Sequence, residues 1–143
     1  YVIEQRQEIV NRSTTAWTGN AYRQLQRVPQ VVDRSGLKGY TNTEAYSFAG
    51  AALYSPEKKF EKRAFDTFVK EPINAKVADG WIAMLQHYFF AAWIPPAGEV
   101  DDFSSAQIPH AGGQRHLVPA MSPAITVNPR PHQSLSARPY VGP

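Results

Sequence analysis

The chain contains no cysteine, which excludes disulfide staples, thiol nucleophiles and cysteine-ligated zinc. That absence does not fix a redox compartment, since exported domains also do without cysteine. No run reaches the roughly 18 apolar residues that a bilayer-spanning helix needs, and no charged segment followed by an apolar one opens the chain. As given, the sequence reads as soluble. Blocks of like charge are missing too: 15 Lys and Arg are interspersed with 12 Asp and Glu, and the formal charge of +3 gives little support for nucleic-acid binding. There is no internal repeat and no low-complexity tract. Phosphate-cradling glycine patterns, GxSxG and HExxH are all absent.

What is present is apolar and aromatic. At 43% hydrophobic and 12% aromatic, 143 residues can bury a core as one domain or as part of a larger one. Twelve prolines and nine glycines are scattered through the chain, which predicts short elements joined by turns and an all-β sandwich.

The most informative stretch runs from Trp81 to Ile94 (WIAMLQHYFFAAWI), introduced by Asp79-Gly80 and stopped by Pro95-Pro96. Only Gln86 and His87 interrupt its apolar character, so it must be covered on nearly every side. Its bracketing Gly and Pro and its aromatic richness read as strand rather than helix. One strand of that length would be unusual, which predicts a bulge or bend near Gln86 and His87.

Around it, Tyr1–Val10 alternates loosely and reads as a half-buried strand. Asn11–Thr15 is turn-rich, and Ala16–Val28 reads as a second strand completing a hairpin with the first. Gln30–Thr43 reads as a loop in which Val31 and Val32 anchor. Tyr46–Tyr54 is apolar, Ser55-Pro56 a turn, and KKFEKRAFDTF fits short strands or one helical turn. Glu71–Asp79 reads as a connection. Ala97–Asp102 and Pro109–Gln114 read as surface loops with a short strand between them. Ala124–Asn128 and Gln133–Val141 are the last strand candidates, placed at sheet edges by Pro129 and Pro131.

The four histidines, His87, His110, His116 and His132, show no metal-ligand spacing. His87 reads as a hydrogen-bonded core or cleft-lining side chain. His110 and His116, flanking Gly112-Gly113, read as solvated loop residues. Asp101 and Asp102 are adjacent, so in an extended segment they point to opposite faces and cannot act as paired catalytic carboxylates; a solvated acidic turn is expected. Asn11-Arg12-Ser13 satisfies the N-glycosylation pattern, which arises often by chance. The stretch Glu57–Arg63 is either a solvated charged face or a docking surface. No catalytic constellation emerges, and the residues point to non-enzymatic contact.

Gly80–Pro95 (GWIAMLQHYFFAAWIP), preceded by Gly50–Thr67 (GAALYSPEKKFEKRAFDT), resembles the large periplasmic domain of the bacterial membrane protein insertase YidC family. The likeness extends to Tyr1–Asn11, to Gln24–Pro29 and to the closing Tyr140-Val141-Gly142-Pro143. It implies an antiparallel β-supersandwich of the galactose-mutarotase-like kind. Residues 1–143 would form a single domain fragment, the C-terminal half of that sandwich, without the transmembrane bundle that performs insertion.

The resemblance further implies a non-catalytic role at the periplasmic face of the inner membrane, with no cofactor. The partners it implies are the SecDF and SecYEG translocon and nascent membrane proteins. The family's SecF contact falls in the stretch resembling Val28–Gln86, which points to Lys59, Phe60, Glu61, Lys62 and Phe65 as partner-binding residues. A carbohydrate- or peptide-binding β-sandwich module is the alternative. A partial sandwich would leave an apolar face exposed, so the fragment is expected to self-associate or to pair with its missing part. Light scattering on the isolated fragment checks this, and a stable compact monomer counts against it.

Overall fold

In the computed structural model, which describes residues 1–29, 47–86, 88–111 and 113–143, the apolar block is a hairpin of two strands rather than one bent strand. Strand β7 (Trp81–Gln86) and strand β8 (Phe89–Ile94) pair antiparallel from Ile82↔Trp93 to Gln86↔Phe89. The polar interruption that predicted a bulge is therefore where the chain turns back. His87 itself, Gly112 and the predicted Gln30–Thr43 loop with Val31 and Val32 lie outside the described residues.

The hairpin sits in the middle of a six-stranded antiparallel sheet. Its order is β1 (Gln5–Val10), β13 (His132–Gly142), β8, β7, β4 (Ala49–Ser55), β5 (Lys59–Ala64). A second sheet runs β6 (Asn74–Ala78), β9 (Val100–Ser104), β11 (Gly113–Met121), with β10 (Ala106–His110) and β3 (Tyr22–Arg27) also on β11. Strands β9 and β10 follow one line broken at Ser105, whose Oγ accepts the Ile73 N–H at 2.8 Å. Pro119 falls where β11 changes partner, between Leu117 opposite β10 and Ala120 opposite β9. A short ribbon joins β2 (Trp17–Gly19) to β12 (Ile125–Val127).

Alternation along the central strands builds the core between the sheets. Ala51 and Leu53 of β4 and Ile82 and Met84 of β7 face Val77, Phe103, Val118 and Ala120 of the second sheet. Phe65, Phe68 and Ile73 close one side, carried by a single 3-10 turn at Phe65–Thr67 and the segment after it. Ile82 and Phe103 are among the largest fully buried side chains, and each such burial is worth about 1.5–3 kcal/mol.

The opposite face of the six-stranded sheet is apolar as well. Register aligns Lys62, Ala52, Ala83, Ala92 and Tyr140 in one row, with the three alanines buried. A row of Phe60, Tyr54 and Trp81 flanks it on one side, and one of Leu85 and Phe90 on the other. Both faces of β7 are thus apolar, as its composition required.

Several boundaries differ from the sequence reading. Strand β1 does not pair with the strand that follows it; it joins β13, while β3 crosses to the second sheet. The crossing is fixed by Asn11, whose buried Nδ2 donates to the Thr15 and Val127 carbonyls, both at 2.8 Å, while its Oδ1 accepts from Ser13 N and Oγ. An Asx turn tied to β12 redirects the chain. The same bonds occupy the amide that the glycosylation pattern would require. Strand β1 is also largely exposed rather than half-buried, with Ile9 its one partly covered residue.

Strand β13 is interior, between β1 and β8, and not an edge. It tolerates Pro139 because the β1 ladder is interrupted there: Val2 bridges Tyr140, and regular pairing resumes at Gln5↔Ala137. The stretch read as a connection contains β6, and the stretch read as an acidic loop contains the start of β9.

Asn11→Ala leaves the buried Val127 carbonyl without its side-chain donor and removes the acceptor of the turn at Ser13, and is expected to cost about 1–3 kcal/mol, measured by chemical denaturation.

Candidate interaction surface and buried polar groups

Strand β5 is the last strand of its sheet, and no strand lies on its outer edge among the described residues. It begins after a tight turn in which Ser55 Oγ accepts the Lys58 N–H at 3.0 Å, and Lys59 enters it with a left-handed φ of 61°. Lys59 and Lys62 are exposed and Glu61 is half-buried, 3.6 Å from Arg63. Phe60 keeps 51% of its surface in solvent, its ring 5.9 Å from that of Trp81, which stacks on Tyr54 at 6.1 Å. The Lys62 ammonium stands 5.1 Å above the Phe48 ring and 5.4 Å from that of Phe60.

Phe65 departs from the group with which the sequence placed it. It is buried, edge-on to Phe68 at 5.4 Å and 4.5 Å from the His116 ring. Lys59, Phe60, Glu61 and Lys62 share one strand; Phe65 belongs to the core behind it. Among the described residues, what the strand offers is an edge of backbone donors and acceptors that no other strand pairs, beside an aromatic patch and two lysines. That combination suits addition of an extended segment to the sheet edge.

Two polar groups that read as solvated are buried. His116 lies in β11, covered by Phe65 and Phe68, and desolvation lowers its pKa from the ordinary 6.5 while the Phe65 backbone raises it slightly. The two glycines suggested a loop, but β11 starts at Gly113 and places His116 three residues inside a strand. His110 and His132 are exposed.

Asp101 is fully buried in β9, its Oδ2 3.1 Å from Arg23 Nη1, which also donates to Glu99 Oε1 at 3.1 Å. Burial is the largest cause raising the Asp101 pKa from 3.8 to about 6, helped by Glu99 and opposed by Arg23. Asp102 points the other way, toward Lys76 at 3.8 Å, so the opposite-face reading holds while the solvated-turn reading fails for Asp101. Arg23 carried no sequence signal beyond its alternation with Leu25, which in retrospect places both on the inward face of β3.

An open groove of about 460 Å³ lies between the end of β3 and the tip of the β7–β8 hairpin. Leu25, Met84, Phe89 and Val141 give it an apolar lining, with Phe89 64% exposed. No cluster of three or more histidine or carboxylate ligands suited to a metal occurs among the described residues.

Fold and surface together define an antiparallel β-sandwich domain whose exposed chemistry is a strand edge, an aromatic patch and an apolar groove. The YidC periplasmic domain family matches residues 1–143, and the chain belongs to that family. It is 39% identical over 144 residues to a protein of Xanthomonas campestris pv. campestris (strain 8004) named membrane protein insertase YidC, covering 100% of this chain and 24% of that relative. Relatives of the same name in Xanthomonas oryzae pv. oryzae (strain PXO99A) and Stenotrophomonas maltophilia (strain K279a) are each 38% identical, with the same coverage. The chain thus spans about a quarter of the length of the relatives it matches. No helix among the described residues is long and apolar enough to cross a membrane.

Because the folded-state pKa of His116 is depressed, its contribution to stability is full above the unfolded value of 6.5 and is lost as pH falls through the folded value. His116→Phe, which keeps a ring against Phe65, is expected to flatten the loss of stability below pH 6.5 in melts recorded against pH.

Proposed function

We propose that the chain is the part of a periplasmic insertase domain that docks the membrane-embedded portion onto the SecDF subunits of the translocon, assisting insertion and folding of membrane proteins by contact rather than catalysis. The observation that carries this reading is that no strand flanks the outer edge of β5 among the described residues, with half-exposed Phe60 between Lys59 and Lys62 in sequence. Family membership supplies the setting, the periplasmic face of the inner membrane. A SecF periplasmic segment would add a strand beside β5, with backbone bonds supplying affinity and the aromatic patch and lysines supplying selection. The stretch Glu57–Arg63 holds four cations against two carboxylates, which favours an acidic partner strand.

The apolar groove supports a second reading, passive binding of a peptide. Its lining suits an apolar segment better than a sugar, so the carbohydrate form of this alternative has the weaker support. Edge-to-edge pairing of two copies is a competing use of β5, and light scattering separates it from docking.

Pull-down of a SecF periplasmic fragment tests the docking reading. Lys59→Glu with Lys62→Glu, and separately Phe60→Ala, are each expected to weaken capture about tenfold or more with the fold unchanged by circular dichroism. Unchanged capture in both variants removes the assignment.

A further inference from the structure

The charged cluster at Arg23 has a mismatch in its composition. One guanidinium faces two carboxylates, with side-chain exposures of 6% for Arg23, 19% for Glu99 and 0% for Asp101. Arg23 Nη1 serves both acids, and Nη2 donates to the Ser136 carbonyl of β13 at 3.3 Å. The cluster therefore spans the sandwich, joining β3 and β9 of the second sheet to the first. Asp101 Oδ1 is buried without a hydrogen-bond donor among the described residues, while Glu99 Oε1 and Asp101 Oδ2 converge on the one Arg23 Nη1 at 3.1 Å each. Two carboxylates gathered on one cation in a water-poor site favour keeping a proton on one of them.

The neighbouring charges do not relieve the mismatch. Lys76 pairs with Asp102 on the other face of β9. The Asp79 carboxylate accepts the Gly98 N–H at 2.7 Å, holding the turn that presents Glu99. Arg6 of β1 donates to Ser134 Oγ, and Gln5 and Gln7, the β1 residues nearest Arg23, are neutral.

We propose that the buried Asp101 carboxyl carries a proton while Glu99 is seated beside it on Arg23, making the cluster a proton-operated latch at the Gly98–Glu99 turn. With the proton in place the cluster is neutral, one cation balancing one anion beside one carboxylic acid. When it leaves, two anions share one cation in a water-poor site, and repulsion acts on the acid that can move. Asp101 is held in β9. Glu99 is the more exposed of the two and sits on a turn whose Gly98 has a left-handed φ of 79°, so Glu99 swings toward solvent and the turn loosens. Release is centred near the raised Asp101 value of about 6.

The sign follows from linkage. A carboxyl whose folded-state pKa is raised stabilises the fold fully below its unfolded pKa, and that contribution is lost as pH rises through the folded value. His116 acts in the opposite direction, so the two groups can be told apart.

Two measurements on the domain test the latch. Infrared spectra titrated from about pH 5 to about pH 8 are expected to show the carbonyl stretch of a protonated carboxylic acid fading near pH 6; its absence at the acid end overturns the proposal without any variant. Amide hydrogen exchange, corrected for intrinsic rates, is expected to show protection at Glu99–Asp101 falling about tenfold or more over the same range in the wild type. In Asp101→Asn, and independently in Glu99→Gln, that fall is expected to vanish. An equal fall in either folded variant places the proton elsewhere and overturns the latch.

Discussion

Strand β7 must be dry on both faces, and the rest of the architecture answers that requirement. Ile82 and Met84 need the second sheet, which brings Phe103, Val118 and Ala120 against them. Trp81, Ala83 and Leu85 need cover on the other side, and the sheet supplies much of it from its own rows. Small residues lie along the middle at Ala52, Ala83 and Ala92, with bulky ones at Tyr54, Trp81 and Phe90 beside them. Placing small side chains between large ones lets one sheet face shield its own backbone centre. A polar residue at Ala83 or Ile82 would be buried without a partner, so neither face of this strand can carry chemistry. Polar and charged side chains are left to the last strand of the sheet and to the ends of the sandwich.

Arg23 marks one such end. An ion cluster buried between sheets is a poor source of net stability, because desolvating three charged groups offsets much of their attraction. Its effect is positional. Arg23 reaches Asp101 within its own sheet and Ser136 in the other, which fixes how β3 lies over β13 at a place where apolar packing thins out. An apolar contact there would hold the sheets together at any pH. A carboxyl pair makes the same contact responsive to the proton.

How much was legible follows from which signals are local. Apolar runs and turn residues are local, and they gave the all-β class, the extended character of Trp81–Ile94 with an interruption near Gln86, and the strand within Gln133–Val141, but not that Trp81–Ile94 folds back as two strands. The order of residues in Gly50–Thr67 and Gly80–Pro95 identified the family, because it depends on the identity of successive side chains and not on their partners. Pairing is non-local. Nothing in Tyr1–Val10 says that its neighbour lies far along the chain in β13, Gln5 against Ala137 and Val10 against His132, rather than in the next segment; Asn11 decides that by bonding to Val127. Polar residues failed for the same reason. Asp101 and His116 look solvated beside Asp102 and Gly113, and only the strands laid across them, with Arg23 and Phe65, reveal that they are enclosed. Phe65 is core, as its ring among charges read, although the family resemblance grouped it with the edge residues. It shares a charged stretch with Phe60, but the 3-10 turn that begins at Phe65 ends the strand and carries the second ring into the core.

That separation of Phe60 from Phe65 bears on how an edge strand can be both sticky and safe. An apolar, unpaired edge invites indiscriminate strand addition, and lysines along it are a common deterrent. Here Phe65 and Phe68 anchor the chain just after β5 from within, so the edge is held in place without exposing further apolar surface. The exposed remainder is one aromatic ring with the Lys62 ammonium beside it and Lys59 preceding it in the strand. On the proposed reading, a second copy would bring its own lysines against this edge, whereas an acidic extended segment would satisfy the backbone and the charge together.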